Sequence, residues 1–317
     1  MRKALVVGID YYDNASNLHG CVNDAYLVKP VLDRHSDGTV NFGLKLAVST
    51  DENSSISRRE LKDLVVELFR DDSDIALFYF SGHGYIESTG GYLITSECKD
   101  GDDGLPMNEL LQIANDSPAR NKIIILDCCH SGIAGNRSPD EAQAMLKEGI
   151  TILTASSAEQ YAIEENGSGV FTSLFVDAMN GGASNLVGDI TPGSIYAHID
   201  QSLGPWEQRP IFKTNVKSFT TLRKVQPPIL LNDLKRIVDL FPEIGKEFDL
   251  DPSYEPESEN PIEENTEIFG VLQKYNRINL VVPVGEEHMY FAAMNSKSCK
   301  LTILGEHYWK LVKKGQI

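Results

Sequence analysis

Two short segments of this 317-residue sequence carry side chains able to cleave an acyl bond. One is Gly82-His83-Gly84; the other is Cys128-Cys129-His130-Ser131-Gly132, with Cys129 placed 46 residues after His83. A thiol attacks a carbonyl as thiolate, or when a neighbouring base removes its proton. Histidine is the base whose ordinary pKa suits neutral pH. The tetrahedral intermediate needs backbone N–H groups at its oxygen, and glycines beside both residues let the backbone come that close. The pattern therefore points to a thiol–imidazole pair of His83 and Cys129. On the residues alone other readings stay open: His83 as a buried structural histidine, or Cys128 as the nucleophile. If the strand pleat persists, Cys128 points away from its neighbour into the core. His130 is read as structural, and Cys21, Cys98 and Cys299 as packing thiols. Five cysteines, an odd number without CxxC pairing, exclude a disulfide framework and a zinc ribbon. No phosphate loop, HExxH or GxSxG occurs, which removes P-loop NTPases, zincins and α/β-hydrolases.

The elements that must position these residues alternate strand and helix over the first 225 residues. Lys3–Ile9 (KALVVGI), Phe42–Val48, Asp74–Phe80 (DIALFYF), Asn121–Leu126 (NKIIIL) and Ile150–Ala155 read as strands, several of them apolar enough to be buried on both faces. Cys21–Leu32, Ser55–Phe69, Leu105–Ala114, Phe171–Met179 and Ile195–Leu203 read as helices, a Gly90-Gly91 hairpin follows the third strand, and Pro210–Phe212 opens a last strand. Such alternation predicts an α/β fold, a mainly parallel sheet flanked by helices. Ligands on such sheets gather beyond the carboxyl ends of the strands. His83 follows the third strand and Cys129 the fourth, so both overhang one crevice if those strands are neighbours.

Acidic residues outnumber basic ones 46 to 29, a net charge of −17 that disfavours nucleic acid and attracts cationic substrates. The apolar run Ala4–Ile9 is too short for a signal segment or a membrane span, so a cytoplasmic protein without a membrane partner is expected. Residues 241–270 hold ten acids against one lysine and read as a linker by composition. Residues 271–317 reverse the balance, with seven Lys/Arg against three Glu. Helices are expected there over Ile268–Tyr275, Glu286–Met294 and Leu304–Val312, with a strand over Ile278–Val282. Leu304, Tyr308 and Leu311 form the face expected to be core.

Phe80-Ser81-Gly82-His83-Gly84 together with Leu126-Asp127-Cys128-Cys129-His130-Ser131-Gly132 resembles the caspase clan of cysteine peptidases, in particular its metacaspase-like prokaryotic members. The likeness runs through residues 1–225 and includes Gly20-Cys21-Val22-Asn23-Asp24-Ala25 and Gly169-Val170-Phe171-Thr172. It implies His83 as general base, Cys129 as nucleophile, and the N–H groups of Gly84 and Cys129 as the oxyanion hole. Asp24 and Asp127 match the acidic S1 pair of metacaspase-like enzymes, which cleave after Arg or Lys. Where caspases hold the P1 aspartate with glutamine and arginine, this chain has Asp127 and Leu18. Glu159 and Glu164 fall in a segment resembling a further substrate loop, and Arg137 and Lys147 in one resembling the intersubunit linker cut during maturation. Many metacaspases need calcium. The acidic loop Asp100-Gly101-Asp102-Asp103-Gly104 lacks the twelve-residue calcium pattern, so a solvated turn is favoured and no cofactor is expected.

Residues 300–309 resemble the end of winged-helix modules attached to bacterial effector and conflict-system proteins. The expected organisation is a caspase-like peptidase domain over 1–225, a helix and acidic linker over 226–267, and a small winged-helix-like module over 268–317. The module is expected to dock a protein regulator rather than nucleic acid. The function implied is an endopeptidase cleaving proteins after Arg, then Lys, in a bacterial antiviral defence or cell-death pathway. The rival reading is a caspase-fold signalling scaffold acting through its C-terminal module.

Overall fold

The computed structural model describes residues 1–128, 145–155, 164–165, 168–204 and 209–317. They form two compact units, Met1–Gln226 and Pro227–Ile317. Strands of the first unit are β1 (Arg2–Ile9), β2 (Gly43–Ser49), β3 (Ile75–Ser81), β4 (Gly84–Glu87), β5 (Gly90–Leu93), β6 (Leu105–Pro106), β7 (Asn121–Asp127), β8 (Ile150–Thr154), β9 (Glu164–Glu165), β10 (Ser168–Gly169), β11 (Asp189–Ile190), β12 (Ile211–Asn215) and β13 (Arg223–Lys224). Its helices are α1 (Cys21–Asp33), α2 (Arg58–Phe69), α3 (Met107–Asp116), α4 (Val170–Asp177) and α5 (Pro192–Ser202).

Six strands build the central sheet in the order β12-β8-β7-β3-β1-β2. All neighbours are parallel except β12, which runs antiparallel to β8. The continuous apolar runs follow from burial on both faces. Phe78 and Phe80 of β3 join Ile124 and Leu126 of β7 in a core with Leu61 and Val65 of α2 and Leu110 of α3. Leu77 and Tyr79 join Ile123 and Ile125 on the opposite face, against Val28 of α1, Phe171 of α4 and Ile195 of α5. This is the two-residue alternation of a pleated strand. Ser57 caps α2, its hydroxyl accepting the Glu60 N–H at 3.2 Å, so the helix starts three residues later than the sequence pattern places it. Helix α3 starts at Met107 rather than Leu105, because Leu105 is spent pairing with Leu93 of β5.

The second unit contains α6 (Leu231–Lys235), α7 (Ile237–Leu240), β14 (Phe248–Asp249), α8 (Glu263–Arg277), β15 (Val281–Val284), α9 (Met289–Met294), β16 (Ser298–Leu301) and α10 (Ile303–Lys313), with a sheet in the order β14-β16-β15. Of residues 226–267, expected as helix and acidic linker, all but Gln226 are built into this unit: Phe248 pairs with Cys299, and the Trp309 indole N–H donates to the Phe241 carbonyl at 2.6 Å. The buried face of α10 keeps Tyr308 of the expected set but not Leu304. Leu304 is 39 % exposed, whereas Gly305 sits so close to the Leu280 carbonyl that a Cβ would come within 2.1 Å of that oxygen. That close approach of β15's lead-in to α10 sets Gly305 inward beside Tyr308, which is buried as expected. Among the described residues no helix is long and apolar enough to cross a membrane.

Candidate active site

Strands β3 and β7 are adjacent, with Ser81 paired to Asp127 and the Gly82 N–H donating to the Asp127 carbonyl at 3.3 Å. His83 lies two residues beyond Ser81, and Cys129, which is outside the described residues, lies two positions beyond Asp127. A Cβ on Gly82 would sit 2.8 Å from the Tyr12 hydroxyl and 2.9 Å from the Phe80 ring, so this turn requires glycine. Four contacts hold His83. Its N–H donates to the Tyr12 hydroxyl at 2.8 Å, its carbonyl accepts the Ile94 N–H at 3.0 Å, and its ring lies 4.6 Å from the Tyr12 ring centroid. Imidazole Nε2 lies 2.8 Å from the Ser16 carbonyl oxygen. A carbonyl only accepts, so Nε2 carries a proton, and Nδ1 is the nitrogen that can act as acceptor. Burial holds the Tyr12 phenol well above its ordinary pKa, which keeps it protonated.

The loop that carries Tyr12 and Ser16 leaves the carboxyl end of β1 and is braced at both ends. Asp10 accepts the N–H groups of Cys21 and Val22 at 2.9 and 3.3 Å, capping α1 from eleven residues away, and its carbonyl accepts the Leu18 N–H at 2.9 Å. Asn17 accepts the Tyr12 N–H at 2.8 Å. Neither Tyr12 nor Ser16 stood out in the sequence. Ser16 acts through a carbonyl, which every residue possesses. The one signal for Tyr12 was its place at a strand's carboxyl end.

The structure brings Asp24 and Asp127 together, 2 % and 5 % exposed. Asp24, in the first turn of α1, accepts the Ser81 hydroxyl at 2.9 Å with one oxygen and the Gly169 N–H at 3.0 Å with the other. Asp127, the last residue of β7, accepts the Thr172 hydroxyl at 2.7 Å, and Thr172 also bonds the Tyr79 hydroxyl. A Cβ on Gly169 would fall 2.3 Å from an Asp127 oxygen and 3.2 Å from an Asp24 oxygen, so both carboxylates converge on this glycine. Beside them the Cys21 thiol is driven far up in pKa by burial, with the negative field of Asp127, Asp24 and Asp10 adding to it, and stays neutral. Gly169→Ala should therefore destabilise the fold by about 1–3 kcal/mol and lower any activity that depends on the two carboxylates. Thermal unfolding and kcat/KM check this together, and a variant of unchanged stability and activity would refute the convergence.

The Glu164 backbone pairs with that of Gly169. Glu159 and Arg137 lie outside the described residues. Gly84 opens β4 directly after His83. Cys128 is 1 % exposed and packs in the core with Leu126, while Leu18 is half-buried against the same cluster. Lys147 is exposed and pairs with Asp116 at 2.8 Å. In the acidic loop the Asp103 carboxylate accepts the N–H groups of Asp100 and Lys99, bonds that hold its pKa below the usual carboxylate value. That carboxylate closes a turn of the loop.

The profile of the caspase domain matches residues 1–228. Curated relatives include metacaspase-1 of Plasmodium falciparum, 32 % identical over 97 residues (29 % of this chain, 16 % of that protein). Two metacaspases of Arabidopsis thaliana also match: metacaspase-4, 30 % identical over 41 % of this chain and 34 % of its own, and metacaspase-7, 26 % identical over 55 % and 45 %. The chain thus spans less than half the length of these relatives. Among solved structures, caspase-1 of Spodoptera frugiperda superposes with a TM-score of 0.51 at 13 % identity, covering 71 % of this chain and 90 % of that one. A protein of Geobacter sulfurreducens gives 0.53 at 16 % identity over 71 % and 99 %. Both likenesses concern the fold.

Proposed function

The chain belongs to the caspase domain family, and from that premise we propose that it is a cysteine endopeptidase cleaving proteins after Arg, then Lys. The observation that carries the reading is the fixed tautomer of His83, whose Nε2–H is held by Ser16 and whose Nδ1 is left as the base, at the carboxyl end of the strand next to the one that leads to Cys129. In the reaction Nδ1 takes the Cys129 thiol proton as sulfur adds to the scissile carbonyl carbon. The carbonyl oxygen becomes an oxyanion met by the N–H groups of Gly84 and Cys129. Collapse breaks the C–N bond, and His83 returns the proton to the leaving amine. Water, deprotonated by the same nitrogen, then hydrolyses the thioester and restores the thiol. Asp24 and Asp127 supply two carboxylates for a guanidinium, a charge-assisted geometry that also rejects an aspartate at P1. Matched fluorogenic peptides ending in Arg, Lys or Asp test this directly. Cleavage confined to Asp peptides overturns the basic specificity, and no cleavage of any peptide favours the scaffold reading.

Self-processing is expected at Arg137 ahead of Lys147. Lys147 is tied to α3 through its N–H to the Asn115 side chain at 2.9 Å and its ammonium to Asp116 at 2.8 Å. Intact-mass analysis of active enzyme should show a fragment ending at Arg137, and a single uncut chain at full activity would rule out obligatory processing. The C-terminal unit serves, in this reading, as a winged-helix-like dock for a protein regulator. Its cellular setting is a defence or cell-death pathway, which loss of the phenotype in a strain carrying Cys129→Ala would test.

A further inference from the structure

A cleft of about 370 Å³ opens beside His83, and neither Asp24 nor Asp127 is among its lining residues. Its walls begin at His83 and Ser16, the two partners of the tautomer-fixing bond, and continue along β4 through Gly84 to Tyr85. Ile94 and Cys98, 6 % and 5 % exposed, give it an apolar floor. The Tyr85 ring, on a side chain 40 % exposed, lies against Gly101 so closely that a Cβ there would fall 1.9 Å from a ring carbon. Lys99 and Asp100 line it with opposite charges, and Glu87 and Asp102 add their negative field at Tyr85, so an acidic occupant is disfavoured.

The direction of the substrate chain follows from the chemistry. The amine that takes its proton from His83 is the first atom of the departing segment, so that segment must leave past the imidazole. The P1 side chain is taken by Asp24, which is reached through Ser81 on the strand before His83. The cleft is reached through Gly84 and Tyr85 after it, and a volume of this order accommodates one or two side chains of a ligand.

We propose that this cleft is the subsite for the residue immediately after the scissile bond, and that it selects an apolar side chain, Leu or Phe, seated between Tyr85 and Ile94. The proposal rests on the peptidase function above, and on the basic specificity only as a matter of convenience in choosing peptides. The test uses internally quenched peptides with Arg, Lys or Asp before the bond and Leu, Phe, Gly or Asp after it, on the full chain and on Tyr85→Ala. The exposed position of Tyr85 keeps that variant folded, which thermal unfolding verifies. Wild type should favour Leu and Phe over Gly and Asp by about tenfold or more in kcat/KM. Tyr85→Ala should reduce that advantage to about twofold while the Arg-to-Asp ratio before the bond stays as it was. Equal rates across the residues after the bond, or an advantage that survives Tyr85→Ala, overturn the subsite. A preference for Asp before the bond combined with Leu or Phe after it keeps the subsite and overturns only the basic specificity. Absence of cleavage in every series overturns both.

Discussion

Cys129→Ala is expected to lower kcat/KM on an Arg peptide by about 10⁶-fold, the scale on which hydrolases lose turnover with their nucleophile, while the variant unfolds at the temperature of the wild type. Cys128→Ala is expected to keep most activity. Its sulfur is packed with Leu126 in the core, 1 % exposed, so the substitution removes a small buried volume and costs stability more than rate. His83→Ala should reduce turnover by about 10²–10⁴-fold, the usual worth of general-base help. Steady-state kinetics on the three variants, with thermal unfolding beside them, separates the roles. If the Cys128 change proved to be the silencing one, the nucleophile would have to be reassigned.

Asp127→Asn should depress cleavage after Arg by about 30- to several-thousand-fold, because losing one partner of a desolvated charged pair costs about 2–5 kcal/mol. Alkylation of Cys129 by a small thiol reagent should change far less. Asp127 accepts a hydroxyl proton from Thr172, and an Asn oxygen can take over that bond. Asp24 accepts with both oxygens, from Ser81 and from the Gly169 N–H, so Asn at this position would turn an amide N–H against a donor. Asp24→Asn is therefore expected to cost fold stability as well as Arg cleavage, by about 1–3 kcal/mol for the unpaired donor. Arg should outrank Lys as substrate, since its planar fork can engage two carboxylates in fixed geometry. The comparison is kcat/KM for matched Arg, Lys and Asp peptides in wild type, both single variants and the double variant. Undiminished Arg cleavage in the double variant would eliminate the acidic pocket and leave the His83–Cys129 pair standing.

Much of this was determined by the sequence alone, because the signals are local. The inner strands β1, β3, β7 and β8 are apolar runs set by burial on both faces. Gly82-His83-Gly84 and Cys129-His130-Ser131-Gly132 place a base and a thiol at two strand ends by residue type and position. What the tertiary structure decided is which distant elements meet. That β3 lies beside β7, that β1 separates β3 from β2, and that β12 joins antiparallel are matters of long-range pairing, invisible to periodicity along one strand. Strand β16 is only four residues long, too short to give a pattern, and exists because β14 and β15 pair with its two edges. The proton on His83 is placed by the carbonyl of Ser16, an atom common to every residue and therefore without sequence signal until the loop folds over the ring. Asp24 and Asp127 stand 103 positions apart, and only the approach of Gly169, which has no Cβ to keep them away, draws their oxygens to one point.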